Sequence, residues 1–406
     1  MSRRSLKPSG LRPWVRLAAL CAAALVFGSP AVALAAPFIP NSDDVVLENR
    51  PDLVDPIGRE LRQRHRALAA DPTNMSLAIE VAELDIDRGR TLGDPRFYGH
   101  AEAALARWYD AGDLPPKIRL LRAILRQATH DFSGAQGDLD LVLKREPRNG
   151  QARLTRAVID GVEADYPAAI RECGELANLA DSLAPVVCTA SIGSLTGHAG
   201  ESFEAIRQSL NSTYVESDAV RVWALTVMAE IAVRLGRDDQ ARIVFAEALR
   251  TRPDDTYLLG AYADFLLDHQ QASDVVQLLF GKTQIDPLLL RLAIAEMQLG
   301  SPAARGHVEE LRARFHAGHQ RGENIHQREE ARFEMLLLQR SQTALDLAKA
   351  NWDIQREPAD ARILMESALA AGRPEMAAPA LRWYRDNNVQ DTVLARLVSR
   401  LDPKGG

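Results

Sequence analysis

The sequence predicts an all-α protein built from repeated helical hairpins, and three observations support that fold class. Within residues 221–254, small and apolar residues recur at helical spacing, pause at Gly236 and resume until Pro253. A small residue then marks the equivalent place in a second helix along most of the chain. No stretch alternates apolar and polar residues as a β-strand does.

The recurrence is carried by these small residues: Ala101, Ala135, Ala169, Ala205, Ala241, Val275, Ala344 and Ala377. The steps between them are 34, 34, 36, 36, 34, 69 and 33 residues, and the step of 69 corresponds to two units. About nine units therefore cover residues 74–388 of the 406. A repeat array grows by adding units, so one elongated domain is the simplest interpretation of this length.

The unit at residues 221–254 resembles a tetratricopeptide repeat. Its positions that match the family's pattern are Met228, Ala229, Ala241, Phe245 and Pro253. It departs from the pattern at Leu225 and Ala232, where the family usually has Trp and Tyr. The resemblance implies a right-handed superhelical solenoid of about nine hairpins, whose first helices line a concave groove that binds a protein or peptide.

The first 35 residues have the features of a secretory signal peptide. Five basic residues accompany an apolar run at residues 17–27, and Ala33-Leu34-Ala35 provides a small-x-small cleavage site. The sequence therefore predicts an exported protein, periplasmic or secreted. Membrane association is expected only if this segment is retained as an anchor.

The rest of the chain divides into three predicted parts. Residues 36–56 hold four prolines among acidic residues and predict an extended arm. Residues 57–390 form the predicted repeat array, and residues 391–406 the predicted C-terminal capping helix and tail.

Charge and motifs narrow the functional classes. Five of the 49 basic residues and none of the 55 acidic residues lie in the first 35 positions, so the remainder carries a formal charge of −11. This acidity, with no basic stripe, argues against nucleic acid and favours basic or neutral partners. The sequence contains no Gly-rich phosphate loop, HExxH or nucleophile elbow, so we expect neither an enzyme nor a cofactor. Acidic pairs such as Asp85 and Asp87 are interpreted as solvated helix faces.

Six residues are the candidate partner-binding groove. They lie opposite the packing stripes of two successive first helices: Trp223, Glu230 and Arg234, and, 34 residues on, Tyr257, Asp264 and Asp268. Aromatic and charged side chains together make a usable peptide-binding surface. The alternative is that the aromatic residues only cover neighbouring helices.

A possible second contact lies in residues 89–99, which predict a long loop inserted into an early unit. Arg96, Phe97 and Tyr98 fall within it, and long loops often carry function. The alternative is that the two rings only fasten the loop to a helix.

Two further groups leave alternatives open. Cys173 and Cys188 fall in adjacent predicted helices, where they would form a disulfide in an oxidising compartment or be two small buried side chains. Four histidines lie in or beside residues 300–322, where the repeat phase slips and a solvated connector is predicted: His307, His316, His319 and His326. Imidazoles ligate transition metals, so metal binding or delivery at this stretch is the alternative function.

Overall fold

The structure is a computed structural model that describes residues 55–109, 113–179, 182–211, 217–320 and 326–402. The chain divides into two units, residues 1–58 and residues 59–406. Only residues 55–58 of the first unit are described, and they begin the first helix. The predicted signal peptide and nearly all of the predicted arm lie outside the described residues.

The described residues form twenty α-helices and no β-strand. The helices are α1 Pro56–Ala70, α2 Met75–Leu92, α3 Arg96–Leu105, α4 Pro116–Ala128, α5 Phe132–Arg145, α6 Gly150–Val162, α7 Tyr166–Ala177, α8 Leu183–Gly193, α9 Ala199–Leu210, α10 Asp218–Arg234, α11 Asp238–Thr251, α12 Thr256–Asp268, α13 Ala272–Leu278, α14 Asp286–Gln298, α15 Ala304–Gln320, α16 Gln327–Leu336, α17 Ser341–Ile354, α18 Pro358–Ala370, α19 Ala378–Asp386 and α20 Thr392–Leu401. Short 3-10 helices, Ala106–Trp108 and Pro374–Ala377, follow α3 and precede α19.

The helices pack in consecutive pairs, from α2 with α3 to α18 with α19, so the described residues contain nine hairpins. The final helix α20 packs on α18, where its Leu394 and Leu397 are buried. The predicted all-α array of about nine hairpins is therefore confirmed in the described part of the chain, and α20 lies where the capping helix was predicted.

Local signals define the hairpins. Asp131 and Asp165, for example, cap α5 and α7 by accepting a hydrogen bond from the backbone N–H of the third residue of each helix. Every turn within a hairpin contains one residue with a positive φ, a conformation that ends a helix without leaving its last carbonyls unpaired. These residues are Gly93, His130, Ala164, Gly197, Gly236, Gln270, Gly300, Gln339 and Gly372.

One anchor of the repeat was assigned wrongly. Ala205 is exposed, whereas Ser202 is buried three residues into α9, at the place that Ala241 takes in α11. A Cβ added at Gly193 would lie 2.9 Å from the Ser202 hydroxyl, which shows how closely α8 and α9 approach there. Ala205 was assigned instead of Ser202 because it gave two equal steps of 36 residues, from Ala169 and to Ala241. These equal steps hid a longer connection between α9 and α10.

Two predicted irregular segments are helical. The prediction of a long inserted loop at residues 89–99 is wrong, because α2 continues to Leu92 and only three residues separate it from α3. Gly89 is buried inside α2, where an added Cβ would lie 2.7 Å from the Tyr98 ring. The connector at residues 300–322 is wrong as well, since α15 covers 304–320 and buries one side of its first two turns.

The array also makes contacts between hairpins that are far apart in sequence. The indole Nε1 of Trp383 on α19 donates a buried hydrogen bond of 2.7 Å to the hydroxyl of Tyr166 on α7. The Thr256 hydroxyl donates to the Thr91 carbonyl at 2.6 Å, 165 residues away. A simple solenoid joins only neighbouring repeats, so these contacts add a second level of packing.

Within the described residues, none of the helices combines the length and apolar character that crossing a membrane would require.

Candidate functional site

The first helices of five successive hairpins, α10, α12, α14, α16 and α18, place charged side chains on a common surface, which we call the charged face. Its members are Glu230, Arg234, Tyr257, Asp264, Asp268, Arg291, Arg328, Glu329, Arg332, Asp360, Arg362 and Glu366. Ion pairs cross it between helices that are not neighbours in the array, because α12 is paired directly with α16 and α18. Such pairs require the first helices to curve towards one another, so the face is concave.

Asp264 lies at the centre of the charged face, between two guanidinium groups. Nη2 of Arg291 lies 2.6 Å from its Oδ2, and Nη2 of Arg332 lies 2.7 Å from its Oδ1. Burial alone would raise the pKa of Asp264, but the two positive charges outweigh burial and hold that pKa below its usual range. Asp264 is therefore a fixed anion that ties α12 to α14 and α16.

Arg291 is the most buried cation of this group, with 7% of its surface exposed. It also lies 3.2 Å from Glu329 and donates hydrogen bonds to the carbonyls of Gly260 and Pro287, at 3.1 and 2.8 Å. Burial would lower its pKa, but the charges of Asp264 and Glu329 raise it. A buried charge held by so many partners is a rigid part of the face.

Asp268 makes a second cross-array contact. Both terminal nitrogens of Arg362 lie 2.7 Å from its two carboxylate oxygens, and Nε of Arg362 lies 2.8 Å from Glu366. This two-pronged geometry is the strongest form of an arginine–carboxylate pair. It fixes the position of α18 relative to α12, although 94 residues separate the pair.

Tyr257 is the large side chain that the charged face presents most openly, with 63% of its surface exposed. Its hydroxyl donates a hydrogen bond of 2.8 Å to Oε1 of Glu230, which links the ring to α10. The charge of Glu230, together with the recess in which the ring lies, raises the pKa of Tyr257 well above its ordinary value. Burial raises the pKa of Glu230, and the hydrogen bond from Tyr257 opposes that rise.

The charged face ends at α18 in another cluster. Nη1 of Arg328 lies 3.0 Å from Glu357 and 3.2 Å from Asp360, which is fully buried and accepts a hydrogen bond of 2.8 Å from Asn351. These contacts join the start of α16 to the start of α18.

Five of the six groove residues predicted from the sequence lie on this face. Arg234 reaches α8, where it donates a hydrogen bond of 2.7 Å to the Ser194 hydroxyl at the end of that helix. Trp223 differs, because it is half-buried against the cluster that contains Cys173 and Cys188. A binding role for all six residues stays a prediction.

Sequence reasoning missed several residues of the face. Adding the repeat step of 34 to Tyr257 gives Arg291, so extending the same argument by one unit would have found it. Arg328, Arg332 and Arg362 come after the α15–α16 connection, whose length breaks the constant step, and no local signal marks them.

The predicted loop contact is wrong as a loop, because Arg96, Phe97 and Tyr98 form the first turn of α3. Arg96 pairs with Asp94 at 2.7 Å. The Phe97 ring packs edge-on against His100 with centroids 5.8 Å apart, and Tyr98 lies against Gly89. Tyr98 therefore packs α3 against α2, whereas the contacts of Arg96 and Phe97 are local to the start of α3.

The two cysteines are bonded to each other in the structure, with an S–S distance of 1.98 Å, and they join α7 to α8. Trp223 packs against the bond's surroundings.

The four histidines near residues 307–326 do not converge on one point. His307 lies 2.7 Å from Glu296, and His319 lies 2.8 Å from Glu330. His316 contacts Gln320 at 3.0 Å, and His326 precedes α16. In the part of the chain that the structure describes, these histidines do not assemble three ligand atoms close enough to share a metal ion.

No protein-family model and no curated protein sequence matches the chain. Among solved structures it is similar to a chain of the APC/C hetero-tetramer Cut9-Hcn1, with a TM-score of 0.40 and 12% identity over 85% of this chain and 52% of that one. It is also similar to yeast Tom70, with a TM-score of 0.40 and 10% identity over 87% of this chain and 86% of that one. Human IFIT1, in a dimer with m7Gppp-AAAA, gives a TM-score of 0.45 and 14% identity over 84% and 85% of the two chains.

The chain spans about half the length of the Cut9-Hcn1 chain that it matches. Likeness at these TM-scores says nothing about what this chain binds. The fold is instead evident from the chain's own helices. The described residues contain nine consecutive hairpins, and the turn of each hairpin has one residue with a positive φ. The chain is therefore an all-α helical-repeat protein with a tetratricopeptide-like fold.

Proposed function

We propose that this chain is an exported scaffold that binds an extended segment of another protein on its charged face. The observation that carries the proposal is Tyr257, a large aromatic side chain that is 63% exposed within a concave surface and hydrogen-bonded to Glu230. Such an aromatic residue is the kind of side chain that dominates the energy of protein interfaces.

The surroundings of Tyr257 suit recognition without chemistry. The arginines and carboxylates of the charged face are fixed in pairs, so the surface offers hydrogen-bond donors and acceptors at set positions. Preorganised polar groups lower the cost of ordering an interface when a partner binds. The acidic balance of the chain favours a basic or neutral segment over an acidic one.

Export is part of the proposal and is supported by the signal-peptide pattern in residues 1–35. The bond between Cys173 and Cys188 also suits an oxidising compartment, because disulfides are rare in reducing ones.

The test is site-specific photo-crosslinking in the compartment to which the protein is exported. A photoreactive amino acid at position 257 should capture a discrete protein partner. The same amino acid at position 243 is the matched control, because Ile243 is 67% exposed on α11, which is the second helix of its hairpin.

Once the partner is purified, Tyr257→Ala should weaken its binding by about thirtyfold, as expected for the loss of an interface hot spot. Ile243→Ala should leave the affinity unchanged. Equal affinities for wild type and Tyr257→Ala, with both proteins fully helical by circular dichroism, would show that the charged face is not the binding surface.

A further inference from the structure

A separate cluster lies at the beginning of the repeat array, on the first three helices. His65 on α1, Asp85 on α2 and His100 on α3 each direct one potential ligand atom towards a common point. These three atoms all lie within 4.8 Å of one another, and Nε2 of His65 is 2.9 Å from Oδ2 of Asp85. None of the three residues belongs to the charged face or to the histidine stretch near residue 307.

Asp85 is the unusual member of this cluster. It is fully buried, and neither of its carboxylate oxygens has a hydrogen-bond partner. The Nε2 atom of His65 likewise lacks one, although it lies close to Asp85. Buried carboxylates are normally paired by hydrogen bonds, because burial removes their contacts with water. Nε2 of His65 and Oδ2 of Asp85 lie at an ion-pair distance of 2.9 Å, which leaves no room for an atom between them. Because neither atom makes a hydrogen bond and Oδ1 of Asp85 has no partner, a cation bound beside them would satisfy all three atoms.

The donor set identifies the chemistry of that group. Two imidazole nitrogens and one carboxylate oxygen are the ligands of zinc and of other divalent transition metals, whereas calcium and magnesium prefer oxygen alone. Two ligands on one zinc ion lie roughly 3 to 3.5 Å apart, given bond lengths near 2.1 Å. Small side-chain movements would bring the three atoms to that spacing. We propose that His65, Asp85 and His100 bind one divalent transition-metal ion.

The surroundings support both order and access. The Phe97 ring packs edge-on against His100 and limits its rotation, with centroids 5.8 Å apart. His100 is exposed, so an ion can enter from solvent on that side. With three protein ligands, a tetrahedral ion keeps one position for water or for a ligand from a partner.

The ion would also have a structural effect. It would join α1 to the first hairpin through ligands on three separate helices. Because the ion binds only the folded arrangement, its binding should raise the thermal midpoint of the protein.

The experiment is a calorimetric titration of the full chain with zinc after treatment with a chelator. We expect one zinc ion per chain with a dissociation constant that is micromolar or lower. His100→Ala and Asp85→Asn should each weaken binding by at least about tenfold, a loss comparable to or larger than that from removing a supporting residue around a metal. Cobalt gives a second readout, since its visible absorption should appear with the wild type and disappear with His100→Ala.

The matched control is His319→Ala, which removes another histidine paired with a carboxylate, 2.8 Å from Glu330. It should bind zinc as the wild type does. His100→Ala decides the question if Asp85→Asn does not fold, because His100 is exposed and its removal leaves the helix packing intact. The proposal is overturned if the wild type takes up no stoichiometric zinc, or if the zinc affinity of His100→Ala stays within about twofold of wild type.

Discussion

At the scale of single residues, Asp160 on α6 shows how the burial of one carboxylate makes the stability of the protein depend on pH. Its surface is only 7% exposed, and burial raises its pKa to about 6, although a hydrogen bond of 2.5 Å from Gln136 opposes the rise. The pKa in the unfolded chain is about 4. The folded state therefore binds the proton more tightly, and the stability that this contributes is present below pH 4 and is lost as pH rises through 6.

Asp160→Asn should accordingly stabilise the protein at pH 7, by about 2 kcal/mol. The new side chain keeps an oxygen that accepts the hydrogen bond from Gln136 but carries no charge. The gain should disappear at pH 4, where the wild-type carboxyl is protonated in the folded protein. Chemical denaturation at the two pH values measures both effects. Asp254→Asn, at an exposed carboxylate, is the control and should change stability by no more than about 0.5 kcal/mol at either pH. An equal gain at pH 4 and pH 7 would refute the titration argument.

At the scale of helices, the bond between Cys173 and Cys188 joins α7 to α8 across the boundary between two hairpins. It closes a loop of 15 residues, which restricts the unfolded chain and should stabilise the fold by about 3 kcal/mol. The double variant Cys173→Ala with Cys188→Ala should lose that amount in chemical denaturation. Reductant should destabilise the wild type and leave the double variant unchanged. Mass spectrometry of the protein without reductant gives an independent check, and two free thiols there would contradict the bond.

The turns act at the same scale. Four of the nine left-handed turn positions are held by residues other than glycine: His130, Ala164, Gln270 and Gln339. A side chain at positive φ is strained, so these positions persist because the packing of each hairpin fixes them. A search for glycines alone therefore finds only part of the repeat.

At the scale of the whole array, contacts between distant hairpins should make unfolding more cooperative than in a chain of independent repeats. The hydrogen bond from Trp383 to Tyr166 connects segments that lie 217 residues apart. Both side chains are nearly fully buried, at 6% and 4% exposure. The backbone N–H of Arg356, just before α18, also donates a hydrogen bond of 2.8 Å to the carbonyl of Val162 at the end of α6.

Tyr166→Phe should destabilise the protein by about 1 to 3 kcal/mol, because it leaves the buried indole N–H without an acceptor. Hydrogen exchange should quicken in α7 and in α19 together, since the bond links the two. Tyr384→Phe makes the same chemical change on α19 itself, at a half-buried side chain, and should have a smaller effect. Faster exchange in α7 alone would mean that the hairpins behave as independent repeats.

The sequence by itself determined the hairpins, because the signals that make them are local. Packing stripes at helical spacing, capping residues such as Asp131 and Asp165, and small residues where helices approach all lie within a few turns of the helix they define. The same constant step of 34 residues relates Glu230 on α10 to Asp264 on α12, and both lie on the charged face. It failed wherever connections changed length, as at Ala205 and between α15 and α16.

Only the tertiary structure decided which charges are paired and which are buried. Asp85 belongs to an acidic pair that suggested a solvated helix face, yet α1 and α3 cover it completely and bring His65 and His100 to it. Arg332 and Arg362 reach Asp264 and Asp268 because the array curves, across separations of 68 and 94 residues that no repeat step encodes. Burial and pairing depend on how separate helices pack, and that packing is a property of the whole chain rather than of any one repeat.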